Sequence, residues 1–198
     1  MSGLGRARWA VTRPGQQWRF YEIDPLIAKT ARTQFTFLSR CLPAVPIELG
    51  DARLTLARRP SASTDLLVID AFSSDSVPMH LLTLEAFATY RRALAPNGLL
   101  LVHVSNRYLD LEPVVAAAAR HGWEARVRHY RPTRQKLALH YTRSDWVAMS
   151  RSPGTISRLV AASPGGAWER FDHLAAQSAW TDEYATSLPI IKWYKTGQ

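Results

Sequence analysis

Cysteine is nearly absent from this sequence: Cys41 stands alone in 198 residues. One thiol excludes an internal disulfide framework and fits a reducing compartment. Long apolar runs are missing as well, and none approaches the roughly 18–20 residues of a membrane-spanning helix. The first residues lack the basic stretch and apolar core of a secretory signal. A cytoplasmic protein is expected, either on its own or as the soluble part of a membrane-associated assembly. Acidic residues are scarce outside one stretch. Residues 1–60 carry ten Lys/Arg against four Asp/Glu, and residues 116–151 carry eight against two. Residues 61–115 reverse this, with three against six. The net charge of +9 therefore comes from the flanks, mostly from arginines expected on solvated helix faces. Nucleic acid is not the expected partner. The acidic stretch suits a cationic ligand better than a phosphate.

That stretch contains Asp65 to Pro78, DLLVIDAFSSDSVP. A wholly apolar run, Leu66-Leu67-Val68-Ile69, ends in Asp70, and a Ser-rich turn then carries Asp75. Such a run reads as a strand buried on both faces of a parallel sheet. In open α/β sheets ligands bind at the carboxyl ends of the strands. Asp70 and Asp75 are therefore candidate site residues. Ser73 and Ser74 lack a neighbouring base and read as turn formers.

Strand and helix patterns alternate along the rest of the chain, which argues for an α/β sheet in one domain over 1–198. Its core would span 3–150, with 151–198 as a C-terminal extension. Strands are expected at Gln17–Ile23, Pro46–Leu49, Leu66–Ile69 and Leu99–Val104. Helices are expected at Pro25–Gln34, Asp51–Arg58, Thr83–Leu94 and Leu111–His121, with Asp24 and Asp51 as N-caps and Pro96-Asn97-Gly98 and Gly122 as stops. Leu84, Phe87, Tyr90, Arg91 and Leu94 fall near helical spacing. Glu124–Tyr130 and Trp146–Ser150 alternate and predict a terminal antiparallel pair, joined by a basic loop over Arg131–Lys136. Gly3-Leu4-Gly5 has the look of a glycine turn between a strand and a helix, yet only Met1 and Ser2 precede it. The expected fold is thus a Rossmann-like, doubly wound, mostly parallel sheet whose first strand is missing or truncated.

Four groups recur at expected strand ends. Gly3 and Gly5 would let backbone approach a ligand. Glu22, closing a strand about twenty residues on, stands where a carboxylate commonly accepts the hydroxyls of a ribose. Gly50-Asp51-Ala52 places an acid where an adenine amino group can be received, or where a helix needs a cap. Asp70 and Asp75 complete the set. Tyr108 lies just past a strand end, where it lines a pocket or packs. His103, inside LLLVHV, reads as a satisfied core or cleft histidine. His121 and His129 fall on different elements, and no metal site is expected.

Together these strings resemble the class I S-adenosylmethionine-dependent transferases, and more narrowly the spermidine synthases (polyamine aminopropyltransferases), including spermidine-synthase-like domains fused to membrane segments. The matching strings are FYEIDP (20–25), GDARL (50–54), DLLVIDAFSSDSVPMHLLTLEAF (65–87), LAPNGLLLVHVSNRYLDL (94–111) and WTDEY (180–184). The resemblance implies aminopropyl transfer from decarboxylated S-adenosylmethionine, as co-substrate, to an amine such as putrescine. It gives Glu22 the ribose, Asp51 and Ala52 the adenine, Asp70 the proton of the attacking amine, and Asp75 the charge of the polyamine. It also implies a homodimer, or a further N-terminal or membrane-fused region. Four features depart from the family: Ala7 replaces the third loop glycine, Arg6 and Arg8 add charge beside it, the spacing from Asp70 to Asp75 exceeds the usual turn, and the N-terminal β-hairpin region that supplies part of the family's amine pocket has no counterpart in this sequence. Two alternatives stay open, a methyltransferase using S-adenosylmethionine and a degenerate binding domain without catalysis.

Overall fold

The computed structural model describes residues 15–71, 77–163, 168–170 and 178–192. Gly3, Gly5 and Asp75 lie outside the described residues, as does any strand ahead of the glycines. The chain divides into two compact units, Met1–Arg59 and Pro60–Gln198.

In the first unit, β1 (Phe20–Glu22) leads into α1 (Pro25–Gln34) and α2 (Thr36–Cys41), and β2 (Ile47–Leu49) then pairs with β1 in parallel, Phe20 opposite Ile47 and Glu22 opposite Leu49. Helix α1 starts as anticipated: Asp24 Oδ1 accepts the Leu26 N–H at 2.7 Å, and Pro25 fills the first turn. The helix breaks at Phe35, whose backbone is extended, and resumes as α2, a short element that lacks the length to show periodicity. Ala31, Leu38 and Val45 form the buried centre, with Trp18, Phe20, Leu42 and Ile47 packed on it. Both strands are shorter than expected, at three residues each. Helix α3 (Ala52–Ala57) follows β2, and Asp51 caps it by accepting the Leu54 N–H at 2.8 Å.

The second unit holds β3 (Thr64–Ile69), α4 (Leu84–Ala93), β4 (Leu94–His103), α5 (Glu112–Ala119), β5 (Glu124–Tyr130), α6 (Arg134–Ala138), β6 (Ser144–Ser150), α7 (Pro153–Ala162) and β7 (Glu169–Arg170). The sheet order is β3-β4-β6-β5-β7. Strands β3 and β4 are parallel, while β6 inserts antiparallel between β4 and β5. The architecture is mixed α/β, with parallel crossovers followed by the foreseen terminal antiparallel pair. Among the described residues no helix is long and apolar enough to cross a membrane.

Helix α4 buries Ala86, Phe87, Tyr90 and Ala93, the 3.6-residue stripe that its sequence carries. Tyr90 donates its hydroxyl to the Leu81 carbonyl at 3.0 Å, so the one polar atom of a buried ring is satisfied. Helix α5 is buried from Val114 to Ala119, and the chain leaves it at Gly122 in the left-handed region, φ +84°.

Three expectations are corrected. Strand β3 is not buried on both faces: Leu67 and Ile69 are each 7% exposed, whereas Leu66 and Val68 are 43% and 42% exposed. An apolar run reads the same whether one face or two are covered. The basic segment Arg131–Lys136 is not wholly loop. Thr133 Oγ1 accepts the Lys136 N–H and starts α6. Strand β4 begins at Leu94, directly after α4, not at Leu99. Its register with β3 jumps from Thr64 opposite Leu94 to Leu66 opposite Leu99, so residues 95–98 bulge. Gly98 permits this, because a Cβ there would lie 3.0 Å from the Thr64 carbonyl.

The WTDEY segment returns to α4. Leu84 donates its N–H to the Trp180 carbonyl at 2.8 Å, Thr83 donates its hydroxyl to Asp182 Oδ1 at 2.7 Å, and Asp182 N–H donates to Glu85 Oε2 at 3.0 Å. A second return pins the loop after β4: Asp110 N–H reaches the Ile190 carbonyl at 2.7 Å, and Lys192 N–H the Tyr108 carbonyl at 2.8 Å.

Candidate active site

Ile69 lies opposite Val102 in the parallel register of β3 and β4, so the residues that follow them, Asp70 and His103, stand side by side. They join. His103 Nδ1 lies 2.7 Å from Asp70 Oδ1, and His103 Nε2 lies 2.8 Å from Ser105 Oγ. Ser105 Oγ also accepts the Asp145 backbone N–H at 2.6 Å. The imidazole stacks on Trp146, which faces His103 across the β4–β6 pairing, at 4.7 Å between centroids and 24° between planes. Both side chains remain reachable, with Asp70 25% and His103 19% exposed. A carboxylate so placed can accept a proton from a cationic or amine ligand.

The loop after β4 is built on Asn106, whose side-chain oxygen accepts from Tyr108 N–H and Leu109 N–H, each at 2.8 Å. Lys192 Nζ donates to the Asn106 carbonyl at 2.9 Å. Tyr108 is 51% exposed, with the Arg107 guanidinium 5.5 Å over its ring. It therefore stands at the surface beyond the strand end, partly covered by its neighbour.

In the first unit, Glu22 and Asp51 close adjacent parallel strands. Gly50 N–H donates to the Glu22 carbonyl at 3.0 Å, and Gly50 turns with φ +133° to release Asp51 as the cap of α3. Glu22 Oε1 accepts the Asp24 N–H at 3.0 Å. The structure thus brings Glu22, Asp51 and Ala52 to one end of the β1–β2 pair, and Asp70 and His103 to one end of β3–β4.

A further charge cluster lies on α5, β5 and β6. His129 Nδ1 is 3.1 Å from Asp145 Oδ1 and 3.4 Å from Glu112 Oε1, and Arg131 also pairs with Asp145. The ligand-type atoms of Glu112, His129 and Asp145 lie within 4.8 Å of one another. Asp145 is thus shared by His129 and the Arg131 guanidinium, and the cluster links α5 to the two strands through polar contacts. Burial pushes the Glu112 carboxyl above its ordinary range, with Asp110 and Asp145 adding to the rise and His129 and Lys192 opposing it.

Sequence reasoning named Asp70 but missed its partners. A usable signal was there: two apolar strands, LLVI and LLLV, each end one residue before Asp70 and His103, and parallel pairing aligns such ends.

No family model matches the chain, and no curated protein matches it. Solved structures do. A probable spermidine synthase from Corynebacterium glutamicum superposes with a TM-score of 0.56 at 20% identity, covering 85% of this chain and 64% of that one. The spermidine synthase from Thermotoga maritima gives 0.52 at 14% identity, covering 84% and 54%. A spermidine synthase in complex with the transition-state analogue AdoDATO gives 0.51 at 14% identity, again covering 84% and 54%. The present chain therefore spans less than two thirds of the length of each. At these identities the likeness establishes the fold, which is the spermidine synthase-like, class I S-adenosylmethionine-dependent transferase fold.

Proposed function

We propose that this chain is a transferase using an S-adenosylmethionine-type co-substrate, and that it moves an aminopropyl group from decarboxylated S-adenosylmethionine to a polyamine such as putrescine, giving spermidine. The observation that carries the reading is Asp70. It is a partly exposed carboxylate at the carboxyl end of a parallel strand, held by His103 at 2.7 Å, in a fold shared with spermidine synthases.

The chemistry assigns Asp70 one task. An alkylammonium, with a pKa near 10, is no nucleophile until it loses a proton. The amine lone pair attacks the methylene carbon next to the sulfonium, the carbon–sulfur bond breaks, and its electron pair stays on sulfur as a neutral thioether. The proton released from nitrogen passes to Asp70. General-base help of this kind contributes roughly 10²–10⁴-fold, and alignment of amine, carbon and sulfur contributes more. Glu22 takes the ribose hydroxyls, and Asp51 with Ala52 the adenine. Asp75 holds the distal charge of the amine, and Tyr108 borders the amine site.

Calorimetric titration with decarboxylated S-adenosylmethionine, its thioether product and putrescine, together with the transfer of a labelled aminopropyl group, tests the reading. Binding of the decarboxylated sulfonium and formation of spermidine are expected. Binding of intact S-adenosylmethionine in preference would move the chain to the methyltransferases, and no binding of either nucleoside would end the reading.

A further inference from the structure

We infer that His103 is a positioning residue for the amine-deprotonating step: it fixes the Asp70 carboxylate and lets the site gain or lose a proton without leaving a ring nitrogen unsatisfied. The inference rests on Asp70 acting as the proton acceptor, as proposed above.

The imidazole is held on three sides, by Asp70 at Nδ1, by Ser105 at Nε2, and by the Trp146 ring on one face. A histidine that merely filled space would not need all three. The proton accounting gives the arrangement its use. One lone pair of Ser105 Oγ is taken by the Asp145 N–H. With a neutral imidazole, Nδ1–H donates to Asp70 and the Ser105 hydroxyl donates its proton to Nε2. With an imidazolium, both ring N–H groups donate, and Ser105 accepts at its second lone pair after its hydroxyl proton rotates away. A hydroxyl serves both states because it is donor and acceptor at once. In either state Asp70 Oδ1 keeps a hydrogen bond, and Oδ2 is the oxygen that takes the proton of the amine.

The charged groups around the ring keep this local. Asp70 follows β3 directly. Strand β6 contributes Asp145, whose carboxylate turns to His129 and Arg131 while only its backbone N–H meets Ser105. Glu112 faces His129 on the far side of that pair, and Lys192 donates to the Asn106 carbonyl. Arg107 lies over Tyr108. An imidazolium beside Asp70 would both engage the carboxylate more tightly and repel an arriving ammonium.

The test compares aminopropyl transfer by wild type, His103→Asn, His103→Leu and Asp70→Asn across pH 5.5 to 9, each checked for retained fold by circular dichroism. Asparagine can place an N–H where Nδ1 stands but cannot take up a proton; leucine can do neither. His103→Leu is expected to lower kcat by about 10²-fold. His103→Asn should recover most of that loss, with a kcat/KM profile across pH whose shape differs from that of the wild type. In parallel, long-range ¹H–¹⁵N spectra of the wild type should show Nδ1 of His103 protonated at neutral pH, and Asp70→Asn should shift that signal. Wild-type kcat and an unchanged profile in both His103 variants would overturn the inference while leaving Asp70 in place, provided that Asp70→Asn is inactive. An Nδ1 that stays unprotonated in the spectra would overturn it too. Full activity in Asp70→Asn, or none in the wild type, would overturn both readings.

Discussion

Thr83→Val tests how the C-terminal return is fastened to the sheet unit. Thr83 is 2% exposed, and its hydroxyl, which also lies 3.4 Å from the His80 carbonyl, makes a cap and a long-range bond. It accepts the Ala86 N–H at 3.3 Å as the N-cap of α4, and it donates to Asp182 Oδ1 at 2.7 Å, across 99 residues of sequence. Loss of a cap costs about 1 kcal/mol. Loss of a hydrogen bond to a carboxylate costs about 1.5–3 kcal/mol, and the lower half applies because the pair is only partly buried. Valine keeps the shape and removes both, so the expected destabilisation is about 3 kcal/mol. For a chain of this length that is a fall in Tm of about 6–12 °C. Thr83→Ser keeps the hydroxyl, gives up one methyl group, and should lose about 1 kcal/mol. Thermal and urea unfolding of Thr83→Val, Asp182→Asn and the double variant complete a cycle whose coupling should exceed about 1 kcal/mol. A valine variant no weaker than the serine variant, or additive single losses, would refute the argument that this hydroxyl is the fastening.

Four further outcomes follow from the geometry. Gly122→Ala forces a side chain onto φ +84° and brings its Cβ to 2.6 Å from Arg91 Nη1, so urea unfolding should show a loss of about 1–2 kcal/mol. Gly154→Ala, whose nearest neighbour would be 3.6 Å away within α7, should not destabilise. Asp51→Ala should lose about 1 kcal/mol with its cap, whereas Asp51→Ser keeps the cap and the stability; under the proposed function both lose nucleoside affinity in calorimetry. Glu112→Gln removes a carboxyl whose folded pKa is raised. In the pH window above its unfolded pKa the native state binds more protons than the unfolded one, so wild-type stability falls as pH rises through the folded value. The Tm difference between Glu112→Gln and wild type should therefore move in favour of the variant between pH 4 and pH 7. A difference that moves the other way would contradict the burial argument.

What the sequence disclosed were the features written in neighbouring residues. Asp24 before Pro25 and Asp51 before an apolar turn announce their caps, and each carboxylate accepts the expected N–H. The alternation of Glu124–Tyr130 and Trp146–Ser150 announces an antiparallel pair, which forms with Glu124 opposite Ser150. The fold class follows from the order of such elements. What depends on tertiary neighbours was not disclosed. The run Leu66–Ile69 has the same composition whether one face or two are covered, so the exposure of Leu66 and Val68 could not be read from it. The pairing of Asp70 with His103 spans 33 residues and needs the strand register. The short helices Thr36–Cys41 and Arg134–Ala138 are two turns or fewer, below the length at which a hydrophobic period declares itself.

The proposed reaction depends most on Asp70 taking a proton from an amine. The direct measurement is the single-turnover rate of aminopropyl transfer by Asp70→Asn, with nucleoside affinity followed in the same preparation. A rate lower by about 10²–10⁴-fold, with nucleoside affinity unchanged, is expected. A rate equal to that of the wild type would contradict it.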